Sequence, residues 1–300
     1  MRVLLSILGI GMLVAGCSTA GTTATRSPTP SPSPSPTPTP SPTPYVKYPL
    51  DTAAGSLVLR ISSEGGFIAP SADLTRLPEW ALFGDGRILV PGPAAQTDPA
   101  PLVPNVRQMQ VTPAEIQKIL AAADAAGLLG PSATYNIVGN PDAGSTLFLA
   151  TVAGKTHLIS ANSLGGVPGP GGGGDPTVAA ARAKLAAFET RTQDMSTFLG
   201  RSVDQAAVYV PTAVRLYISS AAPADPSNPA PKLAWPLSTD PASAEPVGLA
   251  QGVSCLAVTG TDLTTFLNAA KTATSATVWT APSGDYSIQV RPLYPNESGC

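Results

Sequence analysis

The chain has 300 residues, 17 Lys and Arg against 19 Asp and Glu, a net charge of −2, and only 12% charged side chains. With so few charges there is no basic patch, which argues against nucleic acid as a partner. One histidine, with two of the three cysteines read below as a disulfide, leaves no zinc site.

The N-terminus carries a single positive residue, Arg2, then an apolar run from Val3 to Val14, then the small residues Ala15 and Gly16 before Cys17. This is the tripartite layout of a secretory signal peptide. The run is too short to span a bilayer, which needs about 20 apolar residues. The ending Val14-Ala15-Gly16-Cys17 resembles the lipobox of bacterial lipoproteins. That resemblance implies cleavage after Gly16, a diacylglyceryl thioether on Cys17, and acylation (palmitate-type) of the new amino terminus. Two or more acyl chains anchor durably, whereas one gives only marginal binding. The expected location is the extracytoplasmic face of the cell membrane, with the membrane itself as a partner through Cys17. Loss of Arg2 with the leader takes the net charge from −2 to −3.

From Pro28 to Pro44, proline alternates with Ser or Thr, nine prolines in seventeen residues. Locked φ angles and missing donors prevent a packed core. The segment reads as a polyproline II spacer of about 3.1 Å per residue, roughly 50 Å in all. Such Ser/Thr-Pro runs are also O-glycosylation substrates. The expected organisation is leader 1–16, lipid anchor and spacer 17–44, a first α+β half 45–166, a Gly-rich loop and core helix 167–200, and a second α+β half 201–300.

Within the first half, Leu57–Ile61 reads as a strand, with Glu64-Gly65-Gly66 as a hairpin turn into Phe67-Ile68. Glu79 to Val90 reads as a second hairpin turning at Gly84-Asp85-Gly86; a calcium loop would need further spaced oxygen ligands. Thr112-Pro113-Ala114-Glu115 opens a helix with a capping box, its stripe being Ile116, Ile119, Leu120 and Ala123, and Gly127 or Gly130 ends it. Strands 146–152 and 156–160 follow, joined through Gly154-Lys155.

Gly169, Gly171 and Gly174 fit G-x-G-x-x-G, but Pro170 interrupts them and no βαβ unit surrounds them, so no dinucleotide site is read there. Asp175-Pro176 starts a long helix with Val178, Ala181, Leu185, Phe188, Thr192, Met195 and Leu199 on one stripe, closed by Gly200. Strands 207–210 and 214–218 come next. The Pro/Ser/Ala-rich segment 221–247 reads as a surface excursion pinned by Trp235. A strand 253–258, a helix 261–273 and a hairpin of 277–280 with 286–291, turning at Ser283-Gly284-Asp285, complete the chain.

Segments 111–123 and 258–270 align at an offset of 147, each pairing a Thr with an amphipathic helix followed by a Gly-turn hairpin. The expected fold is α+β, with largely antiparallel sheets and helices packed on one face, organised as two related strand–helix–hairpin halves or a convergent layout.

With Cys17 lipidated, Cys255 and Cys300 form the remaining pair, and an oxidising envelope makes one disulfide the default reading. Catalytic signals are lacking. His157 sits in strand alternation and reads as a strand residue, there is no Ser-x-x-Lys, and no carboxylates pair on one element. Neither a catalytic residue nor a cofactor is assigned. Trp80, Trp235 and Trp279 read as core.

Gly65-Gly66-Phe67, Leu82-Phe83-Gly84-Asp85-Gly86-Arg87, the Thr-capped helix and the ending Arg291-Pro292-Leu293-Tyr294-Pro295-Asn296-Glu297 before Cys300 resemble uncharacterised actinobacterial secreted lipoproteins. In that family the ending is similar to Arg-Pro-Leu-Leu-Pro-Asp-Glu, so Tyr294 and Asn296 depart from it. The resemblance implies an envelope location and carries over no functional residue. The leading expectation is a non-catalytic binding or structural domain, with an envelope protein or wall polymer as partner. One alternative is a wall-polymer hydrolase using two carboxylates brought together by folding. The other is a transporter substrate-binding lipoprotein, against which the antiparallel hairpins speak.

Overall fold

A computed structural model describes residues 47–300 apart from 138–141, 167–174, 204–206, 224, 228 and 249, and apart from the Ser71 side chain. Cys17, the proline spacer and the Gly169–Gly174 motif lie outside the described residues. Residues 45–300 form one compact unit. Its class is α+β, built on two mixed sheets.

In chain order the first sheet receives β1 (Leu57–Glu64), β2 (Trp80–Phe83), β3 (Arg87–Pro91), β4 (Val106–Gln110), β5 (Ala133–Thr134), β6 (Ser145–Val152), β7 (Lys155–Asn162) and β8 (Ala207–Val208). Their spatial order is β5-β7-β6-β1-β2-β3-β4-β8, antiparallel except for β5 against β7. The second sheet takes β9 (Ala213–Ser220), β10 (Lys232–Ala234), β11 (Glu245–Pro246), β12 (Ser254–Thr259), β13 (Val278–Ala281) and β14 (Gly284–Pro292). Here the order is β10-β13-β14-β9-β12-β11, again antiparallel except for β10 against β13.

Helix α1 (Pro70–Thr75) follows β1, and α2 (Pro113–Ala125) follows β4. The α2 capping box forms as its sequence requires: Thr112 Oγ1 accepts from the Glu115 amide and Glu115 Oε2 accepts from the Thr112 amide. Ile116, Ile119, Leu120 and Ala123 are its buried residues, and the chain leaves the helix through Gly127 at φ 89°. The stripe packs with Ile61, Trp80, Phe148 and Ile159 on one face of the first sheet. Helix α5 (Gly260–Ala269) does the same for the second sheet, burying Leu263 and Phe266 against Trp279, Leu216 and Ile288.

Two departures from the expected helices and turns have simple causes. Glu64-Gly65-Gly66 is not a hairpin turn, because both edges of β1 are already occupied by β2 and β6. Phe67 and Ile68 therefore find no strand to join, and Phe67 is 94% exposed before Pro70 opens α1. The long helix after Asp175 is also broken, into α3 (Pro176–Gln193) and α4 (Met195–Leu199). Asp194 leaves the helical region and caps the second piece, accepting from the Thr197 amide and hydroxyl; aspartate is better satisfied at a cap than inside a helix. Leu185, Phe188, Met195 and Leu199 still reach the first core.

The Gly84-Asp85-Gly86 turn depends on its glycines. A Cβ on Gly84 would lie 2.0 Å from the Asp51 carbonyl oxygen, and one on Gly86 (φ 86°) 2.3 Å from that of Val111. Asp85 is used up in the turn by Arg87, whose Nε donates at 2.6 Å.

The excursion 221–247 does more than cover the surface: it supplies β10 and β11, the two edges of the second sheet. Trp235 pins it as expected, 6.2 Å from both Trp279 and Phe266 between ring centroids. The order of elements around α2 and α5 repeats, but the pairing does not. After α2 the first hairpin arm, β6, joins the central strand, whereas after α5 the second arm, β14, does so.

The connection from β3 to β4 crosses to the other sheet. The Leu102 amide donates to Ala273, that of Ser275 to Ala100, and Leu102 is buried in the second core. A third cluster joins Ala81, Phe83, Leu89 and Val106 of the first sheet to Tyr209 and to Tyr294 of the C-terminal segment.

Candidate functional site

Side chains alternate across a strand, so the faces of the two sheets turned away from α2 and α5 carry the odd members of each apolar series. On β1, Leu59 and Ile61 enter the first core, while Arg60, Ser62 and Glu64 point the other way. On β9, Val214, Leu216 and Ile218 enter the second core, and Arg215 and Tyr217 face outward. These outward faces border a cleft of about 670 Å³, which the cross-linked Cys255 and Cys300 also line.

The charges in this cleft segregate by depth. Arg60, Arg76, Arg215 and Arg291 line it and are all buried or half-buried, whereas its carboxylates, Glu64, Asp73 and Glu245, are all exposed. Each arginine is held differently. Arg291, 7% exposed, is fully committed: Nη1 and Nη2 grip Glu297 at 3.0 and 2.7 Å, and Nε donates to the Arg76 carbonyl at 3.3 Å. Burial alone would push the Glu297 carboxyl up, but the Arg291 guanidinium outweighs it and holds it below its usual range. Arg76 pairs with Asp73 at 3.3 Å. Arg215, directly opposite Arg291 in the β9–β14 register, donates from Nε to the Gly299 carbonyl at 2.7 Å and from Nη2 to Ser298 at 3.2 Å. Arg60 differs from the other three, since its Nε is buried with no hydrogen-bond partner among the described residues. A buried donor left unmade costs about 1–3 kcal/mol.

Cys255 and Cys300 sit at disulfide distance, Sγ–Sγ 2.13 Å with the Cα atoms 5.8 Å apart. The link ties the C-terminal segment across β12 and so builds one wall of the cleft.

Folding also creates a carboxyl pair that no local pattern announces. Glu79 precedes β2 and Glu189 sits on α3, and both line a smaller cavity of about 260 Å³ with Trp80 and Met109. Burial pushes Glu189 up to about 7, assisted by the charge of Glu79 and a hydrogen bond to it. The unfolded value is near 4.5, so the folded chain holds this proton more tightly. The resulting stabilisation is complete below about pH 4.5 and is lost as pH rises through 7. Discounted for solvent screening, the change is ~1–2 kcal/mol. Thermal melts from pH 5 to 8 should therefore show falling Tm, and Glu189→Gln should flatten the fall and be the more stable form at pH 8. Parallel profiles for the two proteins would refute the assignment.

Comparison with protein-family models, with curated proteins and with solved structures finds no match to this chain. The site is therefore read from its own geometry. His157 lies on β7 with Nδ1 2.7 Å from the Gly130 carbonyl oxygen, a contact that fixes a strand residue in place. Trp80 and Trp279 are buried in the two cores. Among the described residues there is no cluster of three or more His, Cys, Asp or Glu that could hold a metal, and no helix long and apolar enough to cross a membrane. Arg60 and Arg215 did carry a signal in the sequence: each is a lone cation inside an apolar strand, in Val58-Leu59-Arg60-Ile61 and Val214-Arg215-Leu216. Such a residue must leave the core on the opposite face, and there it needs a partner.

Proposed function

We propose that this chain is a lipid-anchored cell-envelope protein that displays a non-catalytic binding domain on a proline spacer, with the cleft between the two sheets as the binding surface. The observation that supports the binding role is Arg60, a strand-mounted guanidinium that lines the cleft half-buried and has no hydrogen-bond or carboxylate partner among the described residues. Rigid strands hold such a group in place at no further ordering cost to a ligand. The anchor reading rests on the lipobox-like Val14-Ala15-Gly16-Cys17 and the spacer behind it.

Hydrolysis through paired carboxylates would use Glu79 and Glu189, but the cavity they border is only about 260 Å³ and is lined also by Trp80, Val90 and Met109. Ligand sites usually measure about 300–1,000 Å³, the range in which the arginine-lined cleft of about 670 Å³ falls. The geometry favours binding.

Cys17→Ala is expected to shift the protein from the membrane pellet to the soluble fraction of fractionated cells, and full retention of that variant in membranes would sink the anchor. For the cleft, amide exchange of the soluble Cys17→Ala chain is measured with and without solubilised envelope polymers. Protection concentrated on β1, β9 and β12 is expected, and no protection there overturns the binding role.

A further inference from the structure

The four arginines of the cleft are not interchangeable, and their differences specify a ligand chemistry. Arg291 has all of its nitrogens engaged, two of them on Glu297. Arg76 is paired with Asp73. Arg215 and Arg60 make no direct ion pair: Arg215 hydrogen-bonds two backbone carbonyls and reaches Glu297 only through its charge, and Arg60 Nε is bonded to nothing among the described residues. Tyr217, 6% exposed, borders the same floor two residues along β9 from Arg215. The carboxylates of the cleft, Glu64, Asp73 and Glu245, all stand out in solvent at the rim, where screening weakens their hold on the floor. A half-buried guanidinium presents a planar fork of donors that matches the two oxygens of a carboxylate or phosphate.

Resting on the reading of the cleft as a binding surface, we propose that it recognises an oxyanionic group, a carboxylate or a phosphodiester of an acidic polymer, seated on Arg60 and Arg215. Arg60 supplies its two Nη nitrogens, which have no partner among the described residues, while its Nε stays enclosed. Arg215 supplies Nη1, the one nitrogen that does not hold Ser298 or Gly299.

The test uses the full chain carrying Cys17→Ala and three probes: trigalacturonate for carboxylate, a glycerol-phosphate oligomer for phosphodiester, and a neutral xylo-oligosaccharide. Binding is followed by calorimetry, and the site by amide shifts on β1 and β9. At least one anionic probe is expected to bind, with Arg60→Gln and Arg215→Gln each weakening it tenfold or more and a remote cation variant, Lys155→Gln, leaving it unchanged. Which of the two anions binds identifies the source. Retained thermal stability of Arg60→Gln separates lost recognition from lost fold. Should Arg60→Gln misfold, suppression of anion binding by raised salt in the parent chain, with shifts confined to β1 and β9, stands in its place; salt-insensitive binding overturns the proposal. If the neutral probe binds at β1 and β9 and Arg60→Gln does not affect it, the oxyanion assignment falls while the cleft remains the binding surface. If no probe shifts β1 or β9, both readings fall.

Discussion

Replacing Glu297 with alanine is expected to destabilise the domain by about 3–5 kcal/mol, the cost of leaving a buried charge without its partner. The side chains of Arg291 and Glu297 are 9% and 13% exposed. Glu297 also accepts from the Tyr294 amide at 2.8 Å, and the Tyr209 hydroxyl donates to the Leu293 carbonyl at 2.9 Å. This short segment therefore seats Tyr294 against Phe83 and Tyr209, 6.5 and 6.2 Å away between ring centroids, and clamps the C-terminal segment to the first sheet. For a domain of this size the loss corresponds to roughly 10 °C in Tm. Urea unfolding of Glu297→Ala and Glu297→Gln measures it. The pH dependence provides a second check. Because Arg291 holds the Glu297 carboxyl below its ordinary 4.5, its contribution is present above about pH 4.5 and is lost as pH falls through the lower folded value. The parent chain should show that acid limb and Glu297→Gln should lack it. A Glu297→Ala midpoint within error of the parent would show that the pair holds nothing together.

Local chemistry was legible along the chain wherever one short segment decides the outcome. The Thr112–Glu115 capping box, the Ile116–Ala123 stripe, the Gly84–Gly86 turn and the Gly154 turn all form as their residues demand. What could not be read was any choice made between distant partners. Gly65-Gly66 had the composition of a hairpin turn, yet β1 had already taken β2 and β6 as neighbours. Segment 221–247 has loop composition, but edge strands need only two or three backbone pairs, and Lys232–Ala234 and Glu245–Pro246 supply them. The Asp194 break hid because the apolar stripe continues through it in register on both sides. The Glu79–Glu189 pair spans 110 positions and has no local signature. The cleft lay between these cases. The alternation that sends Leu59 and Ile61 inward says that Arg60 points out, but only the packing of the two sheets places it in the same cleft as Arg215.

Removing the cross-link by the double change Cys255→Ser and Cys300→Ser is expected to cost about 4 kcal/mol, since the bridge closes a loop with a sequence separation of 45 and so restricts the unfolded chain. The urea midpoint should drop accordingly, and adding reductant should lower the parent to the same value while leaving the double variant unmoved. Equal midpoints for parent and variant would mean that the loop is already closed by other contacts, chiefly the Arg291–Glu297 clamp. That comparison has a structural reading as well. The bridge holds Ser298 and Gly299 where their carbonyls accept from Arg215, so its loss should release the segment after Glu297 while the clamp itself stays formed. Amide exchange of the double variant should accordingly rise first at residues 298–300 and along β12, with Tyr294 and Glu297 still protected. Loss of protection at Tyr294 together with the last residues would mean that clamp and cross-link form one cooperative unit.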